Sequence, residues 1–263
     1  MRIEPLSTKN LREGIFCAVT APDGELMFTQ MEAWLQGDVL RGQVAYADSG
    51  DVAGFVLYYP IEHAPMEFDG EGFYMVQCLL VKPEFVSQGF GSGLMAEAVR
   101  DASDYGAVGL AVQGYSPDAG DVLGPMPGSF FKRIGMEIVE SRGPSSLYFE
   151  RIKQGGRKPS YLDRRFQPPP GKDRLRVDIL DCRNCYSAVR NVAITKQVLE
   201  ELGDKAEVHV HDQNSRSAVM DKGMATGVFI DGNLTLFGKV TKPVDVMNAL
   251  EVALSARRTK TDR

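Results

Sequence analysis

Two stretches of the sequence bring together residue types that could do chemistry. The first is Ser87-Gln88-Gly89-Phe90-Gly91-Ser92-Gly93, between an apolar run ending at Val81 and an amphipathic one. A glycine-rich turn entering a helix leaves the first backbone N–H groups without partners, and the helix dipole adds about half a positive charge there. Such a turn can hold a phosphate with no basic side chain. Gly89, Gly91 and Gly93 would let the phosphate approach the main chain closely. The second stretch is Asp181-Cys182-Arg183-Asn184-Cys185, a C-x-x-C spacing where a strand gives way to a helix. That spacing is a redox signature, and a helix N-terminus lowers a thiol pKa toward about 7. Cys182 would be the exposed attacking thiol and Cys185 the resolving one. Arg183 would favour the thiolate and Asp181 would oppose it. Two other readings stay open: small buried residues without chemistry, or a Cys2His2 zinc site completed by His209 and His211.

The elements needed to position these residues are legible as periodicity. Helical patterns cover 8–18 and 24–38. Strands at 43–47 and 52–60 flank the turn Asp48-Ser49-Gly50-Asp51. A strongly apolar strand spans 73–81. A helix spans 90–105, with Leu94, Met95, Ala98, Val99 and Ala102 on one face. Further strands are expected at 107–113, 137–140 and 146–150, and a short helix at 129–134 ends at Gly135. The run 153–174 contains Gly155-Gly156, Lys158-Pro159 and Pro168-Pro169-Pro170-Gly171, so it reads as an extended linker. Tyr161, Leu162 and Phe166 could pin it down. Beyond it the order is strand 175–181, helix 185–202, strand 206–211, helix 215–221, strands 227–231 and 234–238, helix 242–257. The expected organisation is therefore α/β (α+β): a domain at 1–152, a basic linker at 153–174 and a smaller domain at 175–263.

Composition fits a soluble, cytoplasmic protein. Of the 263 residues 43% are hydrophobic and 25% charged, and no apolar run suits a membrane span. The N-terminus lacks the apolar core of a signal peptide. Four cysteines in a reducing compartment do not suggest a disulfide framework. The net charge of −5 hides an asymmetry: residues 1–150 hold 9 basic against 21 acidic side chains, and residues 151–263 hold 21 against 14. Either the basic linker lies on the acidic part, or the acidic part attracts a cationic amine. Nothing suggests a nucleic-acid partner. A homodimer is compatible with this reading.

The glycine turn comes some 85 residues in, after helices and antiparallel strands, which is unlike a dinucleotide-binding turn that opens its domain. The run Leu79-Leu80-Val81-Lys82-Pro83-Glu84-Phe85-Val86-Ser87-Gln88-Gly89-Phe90-Gly91-Ser92-Gly93-Leu94-Met95 resembles the acetyl-CoA motif of the GNAT N-acetyltransferases. Phe130-Phe131-Lys132-Arg133-Ile134-Gly135-Met136 resembles that family's second block. The resemblance covers about residues 1–150. It implies a mixed sheet with flanking helices and acetyl-CoA as cofactor. It implies acetyl transfer to a small-molecule or peptide amine by direct attack. Backbone groups of Leu79, Leu80 and Val81 would pair with the pantetheine arm, and Ser87 to Ser92 would cradle the pyrophosphate. Two positions depart from the family: Val86 replaces an Arg or Gln, and Phe131 replaces a Tyr that protonates the leaving thiolate. Tyr115, Ser116 and Ser129 are the nearby substitutes for that acid. Glu71, Asp118 and Asp121 are candidate bases. Cys78, in an apolar strand, reads as buried and inert.

The order of elements over 175–258 resembles a thioredoxin or glutaredoxin fold, with Thr226 where that fold has a cis-proline. The combination resembles the YoaP-like acetyltransferases. The second domain would sense redox state, present a thiol substrate or widen the acceptor site. Two alternatives remain: a thiol-disulfide oxidoreductase with a CoA-binding regulatory domain, or a non-catalytic sensor of acyl-CoA or metal.

Overall fold

The computed structural model describes residues 1–19, 24–116, 126–237 and 241–261. The first part forms a seven-stranded mixed sheet from β1 (Arg2–Pro5), β2 (Arg41–Tyr46), β3 (Val52–Pro60), β5 (Phe73–Val81), β6 (Gly109–Tyr115), β7 (Glu137–Arg142) and β8 (Ser145–Arg151). Their order is β1-β2-β3-β5-β6-β8-β7. All neighbours are antiparallel except β5 and β6. The two-residue β4 (Phe68–Asp69) stands apart. Residues 52–59 of β3 are all buried, as a central strand covered on both faces requires.

One face carries α1 (Leu11–Gly14), α2 (Phe16–Val19) and α3 (Gly24–Gln36), where Leu11, Ile15, Met27 and Met31 pack against Phe55, Leu57 and Tyr59. The other face carries α4 (Phe90–Asp104) and α5 (Gly128–Arg133). There the apolar stripe Leu94, Met95, Ala98 and Ala102 meets Val56, Tyr58 and Val76. Beside it Asp101 accepts from Arg41 Nε at 2.7 Å and Tyr58 Oη at 2.8 Å, tying α4 across β2 and β3.

Two irregularities in β5 matter for function. Its register against β3 steps from Leu57↔Cys78 to Tyr58↔Val76, so Gln77 is an extra residue, a β-bulge. Its pairing with β6 runs only from Phe73↔Gly109 to Val76↔Val112. Past Val76 the two strands splay, and the β6-facing backbone of residues 77–81 has no strand partner.

The second sheet is built from β10 (Leu175–Asp181), β11 (Ala206–Asp212), β12 (Gly227–Ile230) and β13 (Asn233–Leu236), in the order β11-β10-β12-β13. β10 runs parallel to β11 and antiparallel to β12. The helices α6 (Tyr186–Leu202), α7 (Arg216–Lys222) and α8 (Pro243–Thr261) complete this part. Val177, Ile179, Val192, Val198, Ile230 and Leu250 form its separate core. The α/β expectation thus holds, and the elements of the second sheet lie close to their expected bounds; β1 and β4 were not expected, and the helix expected at 8–18 is the two short helices α1 and α2.

The basic run between the sheets is not free chain. Its β9 (Ser160–Tyr161) pairs with β4, and Leu162 N donates to Glu67 O at 2.9 Å. Arg157 meets Asp69 at 2.8 Å, and the Phe166 amide donates to Lys222 O at 3.0 Å. Among the described residues no helix is long and apolar enough to cross a membrane.

Candidate functional site

The glycine turn has the geometry of an anion cradle. After β5 the chain makes a 3-10 turn at Pro83–Phe85, then passes through left-handed backbone at Ser87 (φ 67°) and Gly89 (φ 88°) before α4. Among the described residues the amides of Ser87, Gln88, Gly89, Phe90, Gly91 and Ser92 make no close backbone hydrogen bond. Gln88 Nε2 donates to Glu84 O at 2.8 Å and closes the loop. Val86, Ser87, Gln88, Gly89 and Ser92 face solvent.

Two expectations about this region are corrected, for Gly93 and for Phe131. Gly93 is not part of the cradle. Its amide is spent on Gly89 O at 2.9 Å, and a Cβ there would meet only the flexible ends of Met1, at 2.9 Å, and Ile3, at 3.1 Å, so Gly93 faces the N-terminal strand. Phe90 is buried, its ring 5.4 Å from that of Phe85, and offers only its amide. Phe131 is fully buried between Phe130 and Tyr148, so its ring belongs to the core. Of the substitute acids, Ser129 is exposed on α5 and lines no cavity. Glu71 is exposed as well. Asp118 and Asp121 lie outside the described residues.

A cavity of about 790 Å³ lies between the two sheets. From the first it is lined by Phe55 and Leu57 of β3, Gln77, Cys78 and Leu80 of β5, and Gln113 and Tyr115 of β6. The second part supplies Asn184, Cys185, Tyr186, Ala225 and Thr226. In an unbroken strand Gln77 and Cys78 would face opposite ways. The bulge lets both reach the cavity, and the splay that begins there opens β5 and β6 beside it.

The seam around the cavity is held by polar contacts between distant segments. Pro65 O accepts from Cys182 Sγ at 3.7 Å and from Asn184 Nδ2 at 3.3 Å. Arg216 Nη1 donates to Met66 O at 3.0 Å. Gln77 accepts from the buried Tyr59 hydroxyl and donates to Asn184 O. Glu67 Oε1 accepts from the Ala225 amide at 3.1 Å, and the Thr226 amide bonds the same carboxylate. Segment 65–67 therefore covers the C-x-x-C turn and the Ala225-Thr226 edge together.

Glu67 is the titratable group that motif reading missed. Burial pushes its pKa up, and the pull of the two amides and of Arg164 does not cancel that effect. Tyr115, its hydroxyl 3.2 Å from Gln113 Oε1, is also pushed up by burial and stays protonated.

The thiols differ from expectation. Cys182 is 0% exposed, and desolvation raises its pKa where an exposed, lowered thiol was expected. Cys185 is the cysteine that meets the cavity. It caps α6, its sulfur accepting from Ala188 N at 3.4 Å, yet burial still raises its pKa. Cys17 and Cys78 line the same cavity, and burial pushes Cys17 up to about 12. His211 is held by Asp178 Oδ1 at 2.8 Å, and His209 Nε2 lies 2.9 Å from Glu207 Oε1 without hydrogen-bond geometry. Among the described residues no three metal-ligating side chains gather as a site, which removes the support for the Cys2His2 alternative. Iodoacetamide at pH 7.5 should leave Cys182 unmodified in the native chain while labelling it in urea; mass spectrometry of the digested protein reads the difference.

Residues 9–120, under half of the chain, match the acetyltransferase (GNAT) family model, so this stretch is similar to the GNAT acetyltransferases. No curated protein matches. The PaiA N-acetyltransferase from Thermoplasma acidophilum, solved with coenzyme A, is 17% identical with a TM-score of 0.42, over 58% of this chain and 100% of that one. YhbS from Escherichia coli, also with CoA, is 16% identical with a TM-score of 0.42, over 57% and 80%. The ribosomal-protein-S18-alanine N-acetyltransferase from Escherichia coli is 12% identical with a TM-score of 0.42, over 59% and 95%.

Proposed function

We propose that this protein is an acetyl-CoA-dependent N-acetyltransferase whose acceptor amine binds in the cavity between the two sheets. The observation that carries this is one continuous path. A turn of free amides sits at the end of β5, unpaired backbone follows along residues 77–81, and an enclosed cavity with a buried carboxylate lies beside the splay.

In this reading the Ser87 to Ser92 amides hold the pyrophosphate, and the β6-facing edge of Leu79, Leu80 and Val81 pairs with the pantetheine arm as an added strand. Phe131 and Val86 contribute no polar side chain. Glu67 takes the proton from the attacking amine, a task that a raised carboxylate pKa favours. As the C–S bond breaks, the departing thiolate takes up the proton that Glu67 removed from the amine, and the Tyr115 hydroxyl, which lines the same cavity, can donate a hydrogen bond to it. The four-stranded part, read as a thioredoxin-like domain beginning near residue 175, supplies the wall that excludes water from the acceptor. An oxidoreductase acting on large disulfides fits poorly, because Pro65 covers Cys182.

The test is calorimetry of the full chain with acetyl-CoA, paired with an assay of CoA release on a panel of primary amines. Saturable 1:1 binding and amine-dependent CoA release are expected. A chain that binds no CoA ester overturns the proposal.

A further inference from the structure

The charges that line the cavity are few. Among the described residues they are Glu67, Arg142 and Arg164. Arg142 is already engaged, its Nε at 2.7 Å from Glu140, its Nη1 at 3.0 Å from Leu162 O and its plane stacked on Tyr161. Arg164 has no carboxylate partner among the described residues and only lies over the Phe237 ring, 4.2 Å from its centroid. It is near enough to Glu67 to draw its pKa down, yet the two form no ion pair. A carboxylate and a guanidinium that face one cavity without touching complement a molecule carrying both charges a few bonds apart. One stretch of the wall is apolar: Ile15, Met27, Phe55, Leu57, Met66 and Phe68. Cys17, Cys78 and Cys185 add no charge, since burial keeps their thiols protonated.

Resting on the acetyl-transfer reading, we infer that the acceptor is a free α-amino acid with a bulky apolar side chain, its ammonium at Glu67, its carboxylate at Arg164 and its side chain against the apolar wall. Of the cationic acceptors that the acidic charge suggested, one with several positive charges does not suit this cavity. Among the described residues the lining holds two arginines against one glutamate.

The test compares acetylation by the full chain of L-leucine, L-methionine and L-phenylalanine with that of leucinamide, 3-methylbutylamine, phenethylamine and spermidine. The amino acids should exceed their carboxylate-free counterparts in kcat/KM by about tenfold or more. Arg164→Gln, at an exposed position, should raise KM for leucine by about tenfold, change KM for leucinamide, which has no carboxylate, far less, and leave acetyl-CoA affinity unchanged. Equal or faster reaction of the carboxylate-free amines or spermidine overturns the inference, as does an unchanged leucine KM in Arg164→Gln. Tight acetyl-CoA binding with no amino acid acetylated overturns it alone. Absence of acetyl-CoA binding overturns the acetyl-transfer reading with it.

Discussion

Glu67→Gln is expected to lower kcat/KM for acetyl transfer by about 10²- to 10⁴-fold, the range for loss of a positioned general base, with acetyl-CoA affinity unchanged. The amide keeps the shape and can still accept from Ala225 N, but it cannot take a proton. The unsubstituted chain should lose activity as pH falls through the pKa of Glu67. Because burial raises that pKa, the acid limb should lie above the 4.5 of an ordinary glutamate. The limb should vanish in the variant's residual activity. Stability works in the opposite sense. A carboxyl whose folded pKa exceeds its unfolded one weakens the fold as pH rises past the unfolded value. Removing the charge therefore should not destabilise the chain at pH 8, and a thermal melt separates lost catalysis from lost structure. Wild-type turnover in Glu67→Gln would rule out this base.

Gly91→Trp is expected to weaken acetyl-CoA binding by at least about a hundredfold, ~2.7 kcal/mol. A Cβ at Gly91 would point at the Phe130 ring, 3.4 Å away, and at Val81, 3.8 Å away. An indole there projects between the end of β5 and the start of α5, across the path from the amide turn to the splay. The backbone at Gly91 is ordinary helix, and tryptophan is a better helix former than glycine, so the fold should survive. Gly91→Ala adds only a van der Waals contact and should bind within a few-fold of the parent. Calorimetry decides, and full affinity in Gly91→Trp would place the cofactor elsewhere.

What could be read from the sequence is what lies close along the chain. The apolar stripe of Phe90–Asp104, the strand Phe73–Val81 and the Asp231-Gly232 turn each carry their own period or turn chemistry. The glycine turn was legible for the same reason. Gln77, Glu67 and the burial of Cys182 were not. The bulge has no local signature in Val76-Gln77-Cys78, because it is defined against β3. Glu67 looks like one of 21 acidic side chains in residues 1–150 until Ala225, 158 positions away, donates to it. Cys182 has every local reason to be an exposed thiol, and it is covered by Pro65, 117 positions earlier. Contacts at such separations leave no trace in periodicity.

The seam at residues 65–67 also bears on how this chain could diversify. Pro65 and Glu67 lend their oxygens to Cys182, Asn184 and Ala225, and Arg216 reaches back to the Met66 carbonyl. A substitution on one side changes the cost of substitutions on the other, so their effects should not add. The two halves then cannot drift as independent modules. Among descendants of this sequence, the loop before β4 and the C-x-x-C turn would have to change as a matched pair. Grafting either half onto a foreign partner would leave it with donors or acceptors facing nothing.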